Sequence, residues 1–503
     1  MSTTPTYDQL LQDIITYVYH ADISSERAYE RARIALLDSL GCAIETLAQS
    51  AEARAFIGPI VPGTKVPNGF KLPGTTFTLD PVKGAFDLGS LIRYLDHNDA
   101  YPGAEWGHPS DNLGAIIAVA DWLSRSSSTH ERSHPGGGGG DAPQPRRLVT
   151  LRDVLTAQIK AYEIQGVMQL NNAFNKRGID HTILVKIAST AAVSHLLGLS
   201  EDQALSALSH AWQDGGQPLR AFRQEPNAGP RKGWAAGDAC SRAVHLCLLA
   251  RAGQPGAPSV LTAPRWGFQD AVWGGDRLDI ARPFGTFVIE YHFFKLVAAE
   301  AHGISAAEAA VQLAKRLQAA GRGVDDIDKI TIRTQQAAKT IIDKTGPLRN
   351  PADRDHCIQY IVAVSLMKGS FIVAEDYEDD GLWTTDPRID ELRRKMTVVE
   401  DEQFTKDYHD LKVRSGSNAI KIDMATGEYI PEIVVEFPIG HPKHPETLDL
   451  VKAKFETNLN KGGYASTEVD DIIRAVEHDD ILFNRFIDLF AKEVKFPATV
   501  TRA

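Results

Sequence analysis

The stretch from Leu95 to Asn112 reads LDHNDAYPGAEWGHPSDN, and within these 18 residues stand Asp96, His97, Asp99, Glu105, His108 and Asp111 among glycines, prolines and aromatics. Carboxylates beside imidazoles are the side chains that move protons near neutral pH. An apolar helical pattern starts at Leu113, so the spacing predicts a shaped loop aimed at a helix N-terminus, a place where anions bind. Asp99 or Asp111 taken singly reads as a helix cap, whereas the cluster as a whole reads as a site. Two imidazoles among four carboxylates also suggest a metal centre, but the spacing from Asp96 to His108 fits no standard ligand pattern.

Four further islands carry reactive types. In NKRGIDHTILVK, His181 lies where a loop enters a helix and suits a cap or a core hydrogen bond as well as it suits a catalyst. GPRKGWAAGDA sets Arg231 and Lys232 before small residues that let helices approach; a basic pair is ordinarily a solvated face. In EYHFFKLVAAEAH, Lys295 sits in an apolar run, and it either snorkels to water or is held in a pocket that perturbs its pKa. GPLRNPADRDHCIQY offers Arg349, Arg354 and His356 as an anion clamp, or else as partners of Asp353 and Asp355. Together the islands fit a small anionic substrate and acid–base chemistry.

The elements that must hold these groups are mostly helical up to about residue 250. After two serines, Ala28, Ala32, Leu36, Leu40 and Ala43 recur at helical spacing and predict an amphipathic helix over Ser24 to Leu47. Further helices are expected over Leu113 to Ser124, from Thr150 with Asp153 as a capping box to about Met168, and over Ile183 to Leu197. Gly198 ends the last of these, and Ser200 with Gln203 begins another. Ser126 to Arg147 is too rich in Ser, Gly and Pro to bury itself, and reads as a flexible insert inside one domain. After about Gly285 a helix over Ala298 to Leu317 precedes alternating runs at Ile327 to Thr334, Met396 to Val399, Ala419 to Met424 and Ile433 to Phe437. A turn at Ala425 to Glu428 predicts an antiparallel hairpin. Helical periodicity returns from Glu446 to Ala491. The expected fold is mainly α: a large all-helical domain over residues 1–288 and 445–503, and a smaller α+β lid domain over 289–444.

Composition narrows the function classes. The chain has 503 residues, 43% of them apolar, enough for a sizeable core. Fifty-four basic against 65 acidic residues leave a net charge of −11, and no run of five Lys/Arg occurs, so nucleic acid is not an expected partner. No apolar run approaches a membrane span. Cys42, Cys240, Cys247 and Cys357 form no C-x-x-C pair and lack the spacing of a cluster ligand set, so free thiols in a reducing interior are expected. The first 26 residues hold Asp8, Asp13 and Asp22 but no Lys or Arg. The chain as written is expected to stay in the cytoplasm, and a mitochondrial location would need a presequence outside it.

At RYLDHNDAYPGAEWGHPSDN, at GPLRNPADRDHCIQY and at FFKLVAAEAH the chain closely resembles the MmgE/PrpD family, over about Tyr7 to Glu493 and except for the Gly-rich insert. The resemblance implies the same two domains, a homodimer, a pocket between the domains and no cofactor. It implies dehydration of 2-methylcitrate to 2-methyl-cis-aconitate in the methylcitrate cycle of propionate catabolism, with citrate or cis-aconitate as side substrates and no iron–sulfur cluster. By resemblance the catalytic positions fall on Asp96, His108, His181, Lys232 and Lys295, with Arg231, Arg354 and His356 as substrate contacts. Proton transfers suit His108 and His181, Asp96 would orient one of them, and the lysines would neutralise substrate carboxylates. A branch of the family that decarboxylates cis-aconitate carries threonine where this chain has Ala100, which favours dehydration. A non-catalytic helical scaffold is the third reading, and it predicts no effect of changing His108 or Lys232.

Overall fold

The computed structural model describes residues 6–128, 148–213, 218–223, 229–410 and 413–494; of the expected flexible insert, residues 129–147 lie outside this set. The fold is mainly α with a smaller α+β part. Two compact units divide it, one holding the chain up to His292 and again from Val451, the other Phe293–Leu450. Among the described residues no helix is long and apolar enough to cross a membrane.

In the first unit the Glu26–Gln49 helix starts at Ser25, whose hydroxyl accepts from the Ala28 N–H at 3.2 Å. The Leu151–Asn171 helix opens with the Thr150–Asp153 capping box, and the Thr182–Leu196 helix is buried from Thr182 to Ser194. Helices buried on nearly every side belong in a core, and these pack with the Pro81–Arg93 and Leu113–Ser128 helices. Small residues then set one close crossing. A Cβ built on Gly89 would lie 2.9 Å from the Cα of Gly237, so the Pro81–Arg93 and Arg231–Arg251 helices touch backbone to backbone. That approach carries Lys232, at the start of one helix, to the end of the other, where Asp96 follows Arg93.

Between Arg93 and Leu113 the chain makes a tight hairpin, with Tyr101–Pro102 antiparallel to Trp106–Gly107, followed by a 3-10 turn over Pro109–Asn112. The hairpin lies against the Leu151–Asn171 helix, and a Cβ on Gly103 would sit 2.4 Å from the carbonyl oxygen of Gln169. Backbone cannot yield as a side chain does, so Gly103→Ala is expected to destabilise the protein by about 1–3 kcal/mol and to lower its activity by displacing the hairpin. Thermal melting beside an activity assay checks this; an unchanged Tm would refute it.

The second unit is built on a four-stranded sheet in the order Met396–Glu400, Ile327–Thr334, Asn418–Met424, Tyr429–Val435. Ile330, Ile332, Ile420 and Ile422 face the Ile304–Ala319 and Ile358–Lys368 helices, with Leu313 and Ile361 in the shared core. Sequence periodicity anticipates these strands but does not show one pairing and misplaces two features. The first two strands are parallel, a pairing joined by a long crossover that leaves no local turn signal. The last strand runs over Tyr429–Val435 rather than Ile433–Phe437, because Gly427 at φ +86° closes the turn and the Met424 N–H bonds back to Glu428 O at 2.8 Å. As an edge strand it tolerates Pro431. The helix expected from Ala298 begins only at Ile304: the Glu300 side chain accepts from the His302 N–H and caps a 3-10 turn first.

Candidate active site

The Asp96 to His108 loop is held from three directions. Its start follows the Pro81–Arg93 helix, where Asp96 takes φ +54° and donates its N–H to Arg93 O at 3.0 Å. A left-handed aspartate is uncommon, and backbone strain of this kind persists only where the surroundings over-determine it. Here Arg93 Nη1 bonds Asp96 Oδ1 and Lys232 Nζ lies 3.1 Å from Asp96 Oδ2. The two ends of the loop are clamped together by Asp99, whose Oδ1 accepts from both the N–H (3.0 Å) and the hydroxyl (2.6 Å) of Ser110. The back of the loop is tied to the C-terminal residues of the same unit. His97 pairs with Glu45 at 2.8 Å, Lys461 meets Glu45 at 3.0 Å, and Lys454 donates to Asp38 at 2.7 Å and to His97 O at 2.6 Å.

Arg93 is the hub of the cluster. It is 2% exposed, with Nη2 3.0 Å from His108 Nε2 and Nε 3.9 Å from Asp111 Oδ2. Burial opposes its charge, but Asp96, Asp111 and Asp180 outweigh burial and hold its pKa above the ordinary value. The same burial pushes Asp111 up to about 7 and Asp99 to about 6, with Arg93 and Ser110 respectively opposing the rise. Glu105, which accepts from the Asn175 N–H at 2.6 Å, is raised to about 8, again chiefly by burial. Asp111 and Glu105 therefore carry protons for part of the time near neutrality.

His108 and His181 stand side by side, with ring centroids 5.4 Å apart. His181 opens the Thr182–Leu196 helix without capping it; Asp180 does that instead, accepting from the Thr182 N–H at 3.2 Å. Asp180 also lies 3.6 Å from His181 Nδ1, bonds Arg223 and has Arg220 at 3.9 Å. His181 is 3% exposed, and its Nε2 is buried with no hydrogen-bond partner among the described residues. Burial lowers its pKa to about 3; Asp180 opposes this, and Arg223, Arg93 and Arg220 reinforce it. The imidazole is neutral at physiological pH.

A sign follows for stability. Between pH about 6.5 and about 3 the unfolded chain binds a proton at His181 that the folded protein refuses, so stability falls as pH drops through that window. In His181→Gln this contribution disappears, and the acid side of its stability curve is expected to be shallower than that of the parent. Melting curves from pH 4 to 8 on both proteins check it, and parallel curves would overturn it.

Of the residues anticipated from sequence, Asp96, His108, His181 and Lys232 come together in the first unit. Arg231 turns aside, its guanidinium 4.3 Å over the Trp234 ring and 3.5 Å from Asp238. Lys295, Arg354 and His356 belong to the second unit. Lys295 is 2% exposed, so it is held inside rather than snorkelling. Arg354 donates to Tyr377 O at 2.9 Å and to Asp379, and His356 pairs with Asp355. Ion pairing within the unit thus engages both, although Arg354 takes Asp379 rather than Asp353. Arg93, Asp180, Arg220 and Arg223 were not singled out by spacing. Arg93 had a faint signal, an acid three residues on; Arg220 and Arg223 had none, since they arrive only because Pro218 O and Arg220 N–H pair with Asp180 and Gly178 at 2.6 and 2.9 Å. All four cysteines are buried free thiols with raised pKa values, burial being the main cause.

Comparison with known proteins divides the chain at nearly the same point near residue 290, although the second match runs on into the returning part of the first unit. Residues 12–281 match the MmgE/PrpD N-terminal domain and residues 297–479 the MmgE/PrpD C-terminal domain. The chain is 51% identical to the 2-methylcitrate dehydratase-like protein oryR of Aspergillus oryzae, over 97% of this chain and 96% of that one. It is 50% identical to the alkylcitrate dehydratase phiI of a fungal species, over 97% and 94%, and 50% identical to the 2-methylcitrate dehydratase of Escherichia coli K12, over 90% and 91%. With both domains matched across most of its length, this chain is a member of the MmgE/PrpD family.

Proposed function

We propose that this protein is a hydro-lyase that dehydrates 2-methylcitrate to 2-methyl-cis-aconitate without an iron–sulfur cluster. The observation that carries the reading is identity of about half the residues, over nearly the whole chain, with proteins named for that activity. The Asp96 to His181 cluster supports it chemically. Dehydration takes a weakly acidic proton from the carbon beside a carboxylate and expels hydroxide from the next carbon, so it needs a neutral base and cations for the substrate's charges. His181 is a neutral imidazole, and Arg93, Arg220, Arg223 and Lys232 surround the two histidines and Asp96 with positive charge. A tricarboxylate suits such a site. Lys295, Arg354 and His356 as further substrate contacts, and a homodimer as the working form, are carried forward from the family resemblance.

The fungal relative named an alkylcitrate dehydratase favours a second reading, in which the alkyl group of the substrate is longer than methyl. One experiment addresses both. Purified protein treated with EDTA is given citrate, 2-methylcitrate, longer 2-alkylcitrates and cis-aconitate, while unsaturated-acid absorbance and carbon dioxide are followed. Dehydration fastest with 2-methylcitrate is the expected result. A preference for a longer chain would select the second reading, carbon dioxide from cis-aconitate would select decarboxylation, and silence with all would refute the enzyme.

A further inference from the structure

The two adjacent imidazoles are not equivalent, and the hydrogen bonds around them say why. His108 Nδ1 lies 2.7 Å from the carbonyl oxygen of Asp99, which can only accept, so Nδ1 carries the hydrogen. His108 Nε2 lies 3.0 Å from Arg93 Nη2, which can only donate, so Nε2 presents its lone pair. Protonating Nε2 would set an N–H against a guanidinium N–H and remove that bond. His181 differs at the other nitrogen: its Nδ1 likewise faces an acceptor, Asp180 at 3.6 Å, but its buried Nε2 meets no hydrogen-bond partner among the described residues. Its surroundings, Asp180 with Arg223, Arg220 and Arg93, orient the ring and leave that nitrogen for a ligand.

We infer that Arg93 is a positioning residue that locks His108 as a neutral Nδ1–H imidazole, and that His181 Nε2 is the group that takes the substrate proton. The inference rests on the dehydratase reading. In that reaction the proton beside the carboxylate passes to His181 Nε2, the C–H electron pair becomes the second bond of the alkene, and the hydroxyl leaves the neighbouring carbon with its own pair. The proton held by His181 balances the hydroxide, so one turnover yields one alkene and one water. Arg93 joins the two halves of the site, because the guanidinium that fixes His108 also bonds Asp96, which faces Lys232.

The test combines kinetics on 2-methylcitrate with nitrogen NMR of histidine-labelled protein. At pH 7.5 the His108 ring is expected to show a protonated Nδ1 and a bare Nε2. His181→Gln is expected to lose roughly 1,000-fold in kcat, whereas His108→Asn, whose amide oxygen can still accept from Arg93, loses about tenfold. Arg93→Met is expected to lose roughly 100-fold and to gain a pH-rate limb near about 6.5, the ordinary histidine value, as His108 becomes free to titrate; Arg93→Lys, which keeps a donor, stays within about tenfold of the parent. A merely structural arginine would lower folded protein without adding that limb. A protonated Nε2 on His108, or a kcat loss in His108→Asn as large as in His181→Gln, would overturn the inference. If the parent dehydrates no alkylcitrate, the functional reading fails instead, and the NMR spectrum still decides whether Arg93 sets the state of His108.

Discussion

Replacing Asp96 with alanine is expected to lower kcat/KM for dehydration by roughly 100- to 10,000-fold, and asparagine should do nearly the same. The carboxylate lies between Arg93 and Lys232, the latter 3.1 Å away. Without it two cations face each other beside His108, and the arginine that holds the imidazole loses its nearest counter-charge. Stability should separate the two variants even though activity does not. At φ +54° alanine is strained by about 1–2 kcal/mol, whereas asparagine visits that region readily, so Asp96→Asn should melt above Asp96→Ala. Steady-state kinetics beside thermal melts provide the check. An Asp96→Asn enzyme within tenfold of the parent would show that the charge is dispensable, and an alanine variant as stable as asparagine would show that the loop does not hold the left-handed turn.

The largest effect on stability is expected at Asp38. Its carboxylate and the Lys454 ammonium are 2.7 Å apart, with side-chain exposures of 1% and 8%. Removing one partner leaves the other charge buried, so Asp38→Ala should cost about 3–5 kcal/mol in chemical denaturation. The double variant Asp38→Leu with Lys454→Met, apolar at both positions, should recover most of that loss. Activity should recover less. Lys454 also donates to His97 O at 2.6 Å, next to Asp96, and methionine cannot replace that bond. A double variant as unstable as Asp38→Ala, or one with full activity, would contradict this account.

Much of the site was legible in the chain because its residues are local. Asp96 and His108 share one loop, and His181 and Lys232 each stand at a helix start marked by a change of pattern. Helix caps were equally readable: Thr150 with Asp153 and Ser200 with Gln203 form the expected reciprocal bonds. Asp99 shows the limit of such reading. It does cap the turn after His108, as an isolated aspartate would, yet it also closes the Asp96 to His108 loop.

What the sequence determined by itself was the family, the helical and α+β texture of the two parts, and the set of ionisable residues from which the site is drawn. These depend on side-chain type and short-range periodicity, which the chain states directly. What only the tertiary structure decided was the pairing of those residues. Arg93 became the hub because the loop after its helix folds back and sets Asp96, His108 and Asp111 against its guanidinium, the Gly89–Gly237 crossing brought Lys232 to Asp96, and Arg220 and Arg223 reached Asp180 through backbone pairing of segments some 40 residues apart. The difference between His108 and His181 was settled in the same way. Both are histidines at a loop-to-helix junction in sequence, and they differ because one ring is bonded at both nitrogens while the other is buried with one nitrogen left over. Burial and hydrogen-bond partners are properties of packing, and no local pattern of residues encodes them.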